Sequence, residues 1–468
     1  MNKTKRRKIY IGFIVAIIIL GIALIATLAS LLTDGKLVLN KGEVRSETLY
    51  VILALCILLP FVLVGLIIAL IRNKKSVTTV NAQLDKIDVS VGELGKTKSR
   101  KSEEKADEGG NRFPTLTSID AESRKYIRSE YDENVTLKEL CENFRNFAAY
   151  KQKLYYDISD IRRFIAGLAV SHITILQGMS GTGKTSLAYA FGEYLDNPST
   201  VIPVQPMWKE RTDLLGYYNE FTKRFNETQL LQVMYKANYS KDIYITVLDE
   251  MNIARVEYYF AEFLSMLEIP DPSKRYLGVV TDKWENDPKQ FKEGNIRLPD
   301  NMWFIGTANN DDSTFAISDK VYDRAMIMNL DNKAEPFTAP RVKNLHITAE
   351  RFRALTEAAQ REYKMTKRNA RRLNELDKYM ITNFRTTFGN RIMKQIKTYI
   401  PVYVGCGGEE LEALDDILAK KVLRKLEMQN PVYIKNAADG FIMYLDELFG
   451  PDKMPQCKAV MDRLCKNA

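Results

Sequence analysis

Two runs of 24 residues without a charged side chain open the chain, at residues 9–32 and 48–71. At 1.5 Å of rise per residue, each would form a helix about 36 Å long, enough to cross a hydrocarbon core of about 30 Å with some tilt. Residues 33–47 between them are too few for a domain, so 1–75 reads as a transmembrane hairpin. Lys3, Lys5, Arg6, Arg7 and Lys8 precede the first run, and Arg72, Lys74 and Lys75 follow the second. In the intervening loop, Lys36, Lys41 and Arg45 are offset by Asp34, Glu43 and Glu47. The positive-inside rule then keeps both outer flanks in the cytosol. The expectation is a multi-pass protein of the cell (inner or plasma) membrane, with its N-terminus and all that follows the hairpin cytosolic. A cleaved signal peptide is the other reading of the first run, although that run exceeds the about 7–15 apolar residues usual for one. The second span would remain in either case.

Beyond the hairpin the pattern turns polar over residues 76–125. Val77, Val80, Leu84, Ile87, Val91 and Leu94 fall at alternating spacings of three and four, a heptad seam that fits either a short coiled coil or a simple tether. Residues 96–111 carry charge runs and Gly109-Gly110, and read as linker. A globular pattern begins at about 126. Thr136 and Glu139 form a capping box that opens a helix, and a second helix is expected over 158–170. Short apolar runs at 173–177, 243–249 and 302–307 read as strands buried on both faces, as in a parallel sheet. A core over 126–344 and a helical lid over 345–468 follow.

Charge and cysteines narrow the options. Of the 68 Lys+Arg and 59 Asp+Glu, the first 75 residues hold 11 and 3, so the basic excess belongs to the membrane flanks. The rest of the chain is close to neutral, and nucleic acid is not an expected partner. Five scattered cysteines and two histidines, with no CxxC pair, suggest neither a zinc site nor a disulfide framework.

The chemistry lies at the strand ends. The strand at 173–177 runs into Gly178, Met179, Ser180, Gly181, Thr182, Gly183, Lys184, Thr185 and Ser186, a GxxxxGK[ST] loop with an amphipathic helix (187–194) behind it. Glycines let backbone N–H groups converge on phosphate oxygens, and the helix N-terminus favours the anion. Lys184 is placed to reach the β- and γ-phosphates of a nucleotide, and the Thr185 hydroxyl to ligate Mg²⁺. The strand at 243–249 ends in Asp249-Glu250. Asp249 fits the Mg²⁺ shell, and Glu250 fits a base that orients the attacking water. The strand at 302–307 ends in Asn309, where a polar side chain can position that water. Asp323-Arg324 ends the stretch from Ser318 that reads as a helix.

In this order the motifs resemble an AAA+ module, and the wording resembles its McrB-like and MoxR-like branch. The likeness rests on Val204 to Asn219 (with Trp208, Arg211, Asp213 and Gly216), on Leu248 to Arg255 with Asn252, and on Ile305 to Asn309. It covers about residues 140–468. The fold class it implies is α/β: an AAA+ P-loop NTPase, with a parallel sheet flanked by helices and an α-helical lid, here preceded by two transmembrane helices.

The resemblance assigns roles as well. Asn309 is the expected sensor 1, and Arg324 the arginine finger offered to a neighbouring subunit's nucleotide. Arg391, in Phe388 to Arg391, is the expected sensor 2 from the lid, and Asp415 to Lys425 resembles the closing lid helix. For Arg324 the alternative is a surface ion pair, and for Arg391 a solvated helix arginine. Trp208, Tyr217 and Tyr218 fit either pore-loop or core positions. The resemblance implies a homo-oligomeric ring, usually a hexamer, with ATP and Mg²⁺ as cofactors and a separate effector or substrate protein as partner. Its setting would be bacterial defence or remodelling of protein complexes. The rival readings are an ATP-gated assembly scaffold and a McrB-like GTPase or nucleic-acid translocase. No guanine-reading motif is recognisable, so ATP is the expected nucleotide. Residues 270–299 carry no assigned role.

Overall fold

The computed structural model describes residues 111–123, 130–132, 134–309, 314–331 and 334–466, all within the second of two compact units, Glu104–Ala468. The expected spans at 9–32 and 48–71 and the heptad seam at 77–94 lie outside the described residues. Among the described residues no helix is long and apolar enough to cross a membrane.

In chain order the elements are α1 (Pro114–Ser123), α2 (Leu137–Phe147), α3 (Ile158–Val170), β1 (Ile173–Gln177), α4 (Lys184–Tyr194), β2 (Thr200–Pro203) and α5 (Arg211–Leu215). The hairpin β3 (Tyr218–Asn219) and β4 (Arg224–Phe225) comes next, followed by α6 (Gln229–Ala237), β5 (Tyr244–Asp249), α7 (Val256–Tyr259) and α8 (Ala261–Leu267). Then come β6 (Tyr276–Gly278), β7 (Phe291–Lys292), β8 (Asn295–Arg297), β9 (Met302–Ala308), α9 (Asp319–Tyr322) and β10 (Met326–Asn329). The C-terminal part is helical: α10 (Ala349–Glu362), α11 (Lys367–Phe384), α12 (Gly389–Gly405), α13 (Glu410–Lys421), α14 (Pro431–Phe449) and α15 (Pro455–Lys466).

Five strands form one parallel sheet in the order β10-β1-β9-β5-β2. Successive side chains along its strands enter two different clusters. Leu176, Trp303, Ile305, Met326 and Met328 point into one apolar cluster, with α2, α3, α4 and the lid helices. Ile173, Ile175, Met302, Phe304 and Ile327 point into a second, with α1 and α5 to α8. Period-2 alternation therefore persists even where both faces are covered. Each large side chain so buried contributes about 1.5–3 kcal/mol. The lid shares the first cluster, so it is packed onto the sheet's own core. Arg163 on α3 adds an ion pair with Asp416 on α13 at 3.1 Å.

Three features differ from or add to the sequence reading. Residues 111–123 fall inside the stretch read as linker, yet they are packed. Phe113 and Leu116 are fully buried, the Arg112 guanidinium pairs with Asp287 at 2.8 Å, and the Asp120 carboxylate accepts from the Tyr235 hydroxyl at 2.6 Å. Residues 270–299 contain an antiparallel sheet in the order β6-β8-β7, which joins the second cluster through Leu277, Ile296 and Phe291. The closing lid helix ends at Lys421 and tightens into a 3₁₀ turn, Leu423–Met428.

Candidate functional site

Strand register sets the site. Gln177 pairs with Ala308, and Leu248 with Gly306, so the ends of β1, β5 and β9 lie side by side at the sheet's carboxyl edge. A crevice beyond such an edge is where parallel α/β sheets bind ligands.

The loop after β1 depends on glycine. Gly178 has φ +141°, and a Cβ there would lie 2.4 Å from the Leu330 carbonyl oxygen. Gly183, at φ +91°, lies under the Tyr156 ring, whose hydroxyl donates to the Gly183 carbonyl at 3.1 Å. Met179, Ser180 and Gly181 stand exposed at the loop's crest, and Thr182 donates to the Met179 carbonyl. Lys184 opens α4 and is buried. Its ammonium donates to the Gly178 and Met179 carbonyls at 2.8 and 2.7 Å. The loop thus arches over a cation at a helix N-terminus, the geometry that receives phosphate.

Asp249 collects two hydroxyl donors on one carboxylate oxygen, Thr185 at 2.7 Å and Thr307 at 2.8 Å. The Thr307 hydroxyl also accepts from the Glu250 backbone N–H at 2.8 Å. Glu250 is exposed and held in the left-handed region (φ +52°, ψ 47°), a strained backbone of the kind found where a side chain must be aimed. The Asn252 side-chain amide donates to the Asn309 carbonyl at 2.9 Å and ties the tip of β9 to the Asp-Glu turn. Lys184, Thr185, Asp249, Glu250 and Asn309 are thereby gathered at one edge. A hydroxyl and a carboxylate suit a Mg²⁺ that keeps waters and phosphate oxygens as its other ligands. Beside Gly178 opens a cavity of about 700 Å³, lined by Gln177, Tyr322, Asn329, Asp331 and the lid's Lys420 and Arg424.

Arg324 belongs elsewhere. Its backbone carbonyl accepts from Ser171, two residues before β1, whereas the phosphate loop follows β1. A five-residue strand spans about 16 Å, so the two lie at opposite edges of the sheet. The lid grips this corner. Burial pushes the Lys421 ammonium down to about 7, and it donates to the Tyr322 and Ala325 carbonyls. Gln395 donates to the Asp323 carbonyl at 3.1 Å, whereas the Tyr322 ring, with the Arg424 guanidinium stacked 3.2 Å over it, faces the cavity beside Gly178. Arg391, expected to reach the nucleotide from the lid, is ion-paired with Glu268, which also binds Arg324 at 3.0 Å. The two arginines form one cluster away from their own phosphate loop.

Asn252, Thr307, Glu268 and Lys421 hold these groups, and sequence reasoning gave none of them a role. Asn252 offered a faint signal, three residues past Asp249. Trp208 packs against the Tyr259 ring and Tyr218 against Trp284, whereas Tyr217 is exposed, as is Phe221 at the tip of the β3–β4 hairpin.

Fold and site together define an AAA+ P-loop module. Residues 173–325 match the family model described as AAA domain (dynein-related subfamily), and residues 341–468 match one described as a domain of unknown function (DUF8727). Two solved structures are similar in part. One is a candidate ATPase from Cytophaga hutchinsonii (13% identity, 65% of this chain and 88% of that one, TM-score 0.41). The other is a full-length MCM homolog from Methanopyrus kandleri (12% identity, 63% of each chain, TM-score 0.35). Likenesses of that size add nothing to what the site itself shows. No curated protein matches the chain in sequence.

Proposed function

We propose that the chain is a membrane-anchored AAA+ ATPase that hydrolyses ATP in a homo-oligomeric ring and thereby remodels or signals to a partner protein. The observation that carries this reading is the separation of Arg324 from its own phosphate loop by the length of β1. An arginine at that edge reaches a triphosphate only when it belongs to the next copy. Head-to-tail repetition of that contact closes into a ring, and a hexamer is the size expected.

Within each site, Lys184 and the loop N–H groups hold the phosphates. Thr185 and Asp249 would hold Mg²⁺, which when bound would neutralise charge on the phosphate oxygens. Glu250 takes a proton from the attacking water as it adds to the γ-phosphorus, and Asn309 orients that water. The neighbour's Arg324 stabilises the charge that develops as the bond to the leaving diphosphate breaks. The cavity beside Gly178 receives the nucleoside. The proposed membrane anchor rests on the apolar runs at 9–32 and 48–71, and their basic flanks favour a cytosolic ATPase domain. A setting in bacterial defence is the corresponding biological proposal.

The test is turnover of ATP and GTP by the full chain in detergent, wild type beside Glu250→Gln, with assembly followed by light scattering. ATP-specific turnover that is lost in the variant, with ATP-dependent assembly in both, supports the reading. Turnover of GTP alone would sink the ATP assignment. Assembly without any turnover would leave a nucleotide-gated scaffold in its place.

A further inference from the structure

Glu268 follows the last turn of α8, and its carboxylate is shared. One oxygen is ion-paired with Arg324 at 3.0 Å and the other with Arg391. The other terminal nitrogen of Arg324 donates to the Lys320 carbonyl at 3.0 Å, so both ends of the guanidinium fork are turned onto their own subunit. Its Nε is buried and has no hydrogen-bond partner. The Arg324, Glu268 and Arg391 side chains are 25%, 34% and 48% exposed, open enough for an anion to reach them from outside. Glu268 and Arg324 belong to the core, whereas Arg391 is on the first turn of α12, in the lid. The carboxylate is therefore also a bond between core and lid.

We propose that Glu268 is an internal competitor for the neighbouring subunit's nucleotide. It holds Arg324 and Arg391 in the unassembled subunit and gives them up when a Mg²⁺-bound triphosphate is presented across the interface. The inference rests on the reading that Arg324 acts between subunits. The physical basis is an exchange of anions. Two guanidinium groups side by side repel each other, and one carboxylate offsets that repulsion only in part. A triphosphate carries more charge, and its oxygens match the same planar fork. The exchange also cuts the Glu268 bond between core and lid, so occupancy of one subunit's site loosens the lid of the next. Atoms and charge are conserved throughout, because only hydrogen-bond partners change.

The experiment uses the full chain in detergent, with ATP and Mg²⁺. Turnover is measured against protein concentration, and ATP-dependent assembly by light scattering. Glu268→Gln keeps the shape and removes the charge. Glu268→Asp keeps the charge but is too short to bridge both arginines, and it covers the case in which the first variant misfolds. Either change is expected to lower the protein concentration for half-maximal turnover by about two- to fivefold, as loss of a partly exposed ion pair would, with kcat held. Adding Glu268→Gln to a variant that already carries Arg324→Ala and Arg391→Ala should leave assembly unmoved. A fall in kcat at unchanged half-maximal concentration would overturn the proposal, because Glu268 would then be aligning the arginines. A shift in assembly that persists without the arginines would overturn it too. Full turnover by Arg324→Ala alone would remove the intersubunit reading and this inference with it.

Discussion

The two edges of the sheet are built in different ways. At the carboxyl edge the chain places its chemistry with groups of the sheet module alone. Glycines permit the loop, Lys184 folds onto carbonyls five and six residues away, and Asp249 is met by Thr307, which β5–β9 register puts level with it, and by Thr185 from the first turn of α4. At the amino edge the holding groups come largely from the lid and from the end of α8. Lys421 and Gln395 reach the 319–325 corner from the lid, and Glu268 joins Arg324 to Arg391. On the proposed reading one edge holds nucleotide with parts from its own module. The other displays arginines whose position depends on where the lid sits. A ring that is to couple hydrolysis to lid movement needs this asymmetry.

The sharpest way to break the comparison is to remove a group from each edge in turn. Arg324→Ala should lower kcat by about 10³–10⁵-fold, the range for arginine fingers, while ATP binding to the isolated subunit stays near wild type. Equilibrium titration with a fluorescent ATP analogue separates the two effects. Equal losses of binding and turnover would mean that Arg324 serves its own subunit. Glu250→Gln should cost about 10²–10⁴-fold in kcat, as loss of a general base does, and binding should persist.

A smaller effect sharpens the role of the lid. Lys421→Met leaves the Tyr322 and Ala325 carbonyls without their buried donor, at a cost of about 1–3 kcal/mol for such orphaned groups. The sign of its pH dependence is fixed. The ammonium titrates at about 7 in the fold and at 10.5 when unfolded, so the unfolded chain holds the extra proton between those values. Wild-type stability contributed by this group therefore rises from about pH 7 toward 10.5 and is least below 7. Melting curves of both proteins across that window should show the difference widening with pH. A difference independent of pH would place the lysine outside the lid–core contact.

The same contrast explains what the sequence revealed. The phosphate loop, the Asp249-Glu250 strand end and the Asn309 tip were legible because each is a local word: an apolar strand followed by a residue type that only one chemistry needs. β1 and α3 fall where periodicity places them, at Ile173–Gln177 and Ile158–Val170. Glu268 was not legible, since nothing local separates it from the chain's other 58 carboxylates and only the meeting of α8 with α12 gives it a role. Lys421 reads as one more helix lysine until the fold buries it. The packing of 111–123 was hidden by brevity. Phe113, Leu116 and Ile119 make a pattern of only about two turns in a polar stretch, and their partners Phe225 and Phe291 lie more than a hundred residues on.

The central claim is that each site is completed by the arginine of another copy. The most direct measurement mixes two inactive full-length proteins in detergent. One carries Lys184→Ala and keeps Arg324. The other carries Arg324→Ala and keeps its phosphate loop. If the arginine acts across the interface, the mixture turns over ATP although neither protein does so alone, and turnover peaks near equal proportions. A mixture as silent as its components, with light scattering showing that the two co-assemble, would contradict the account.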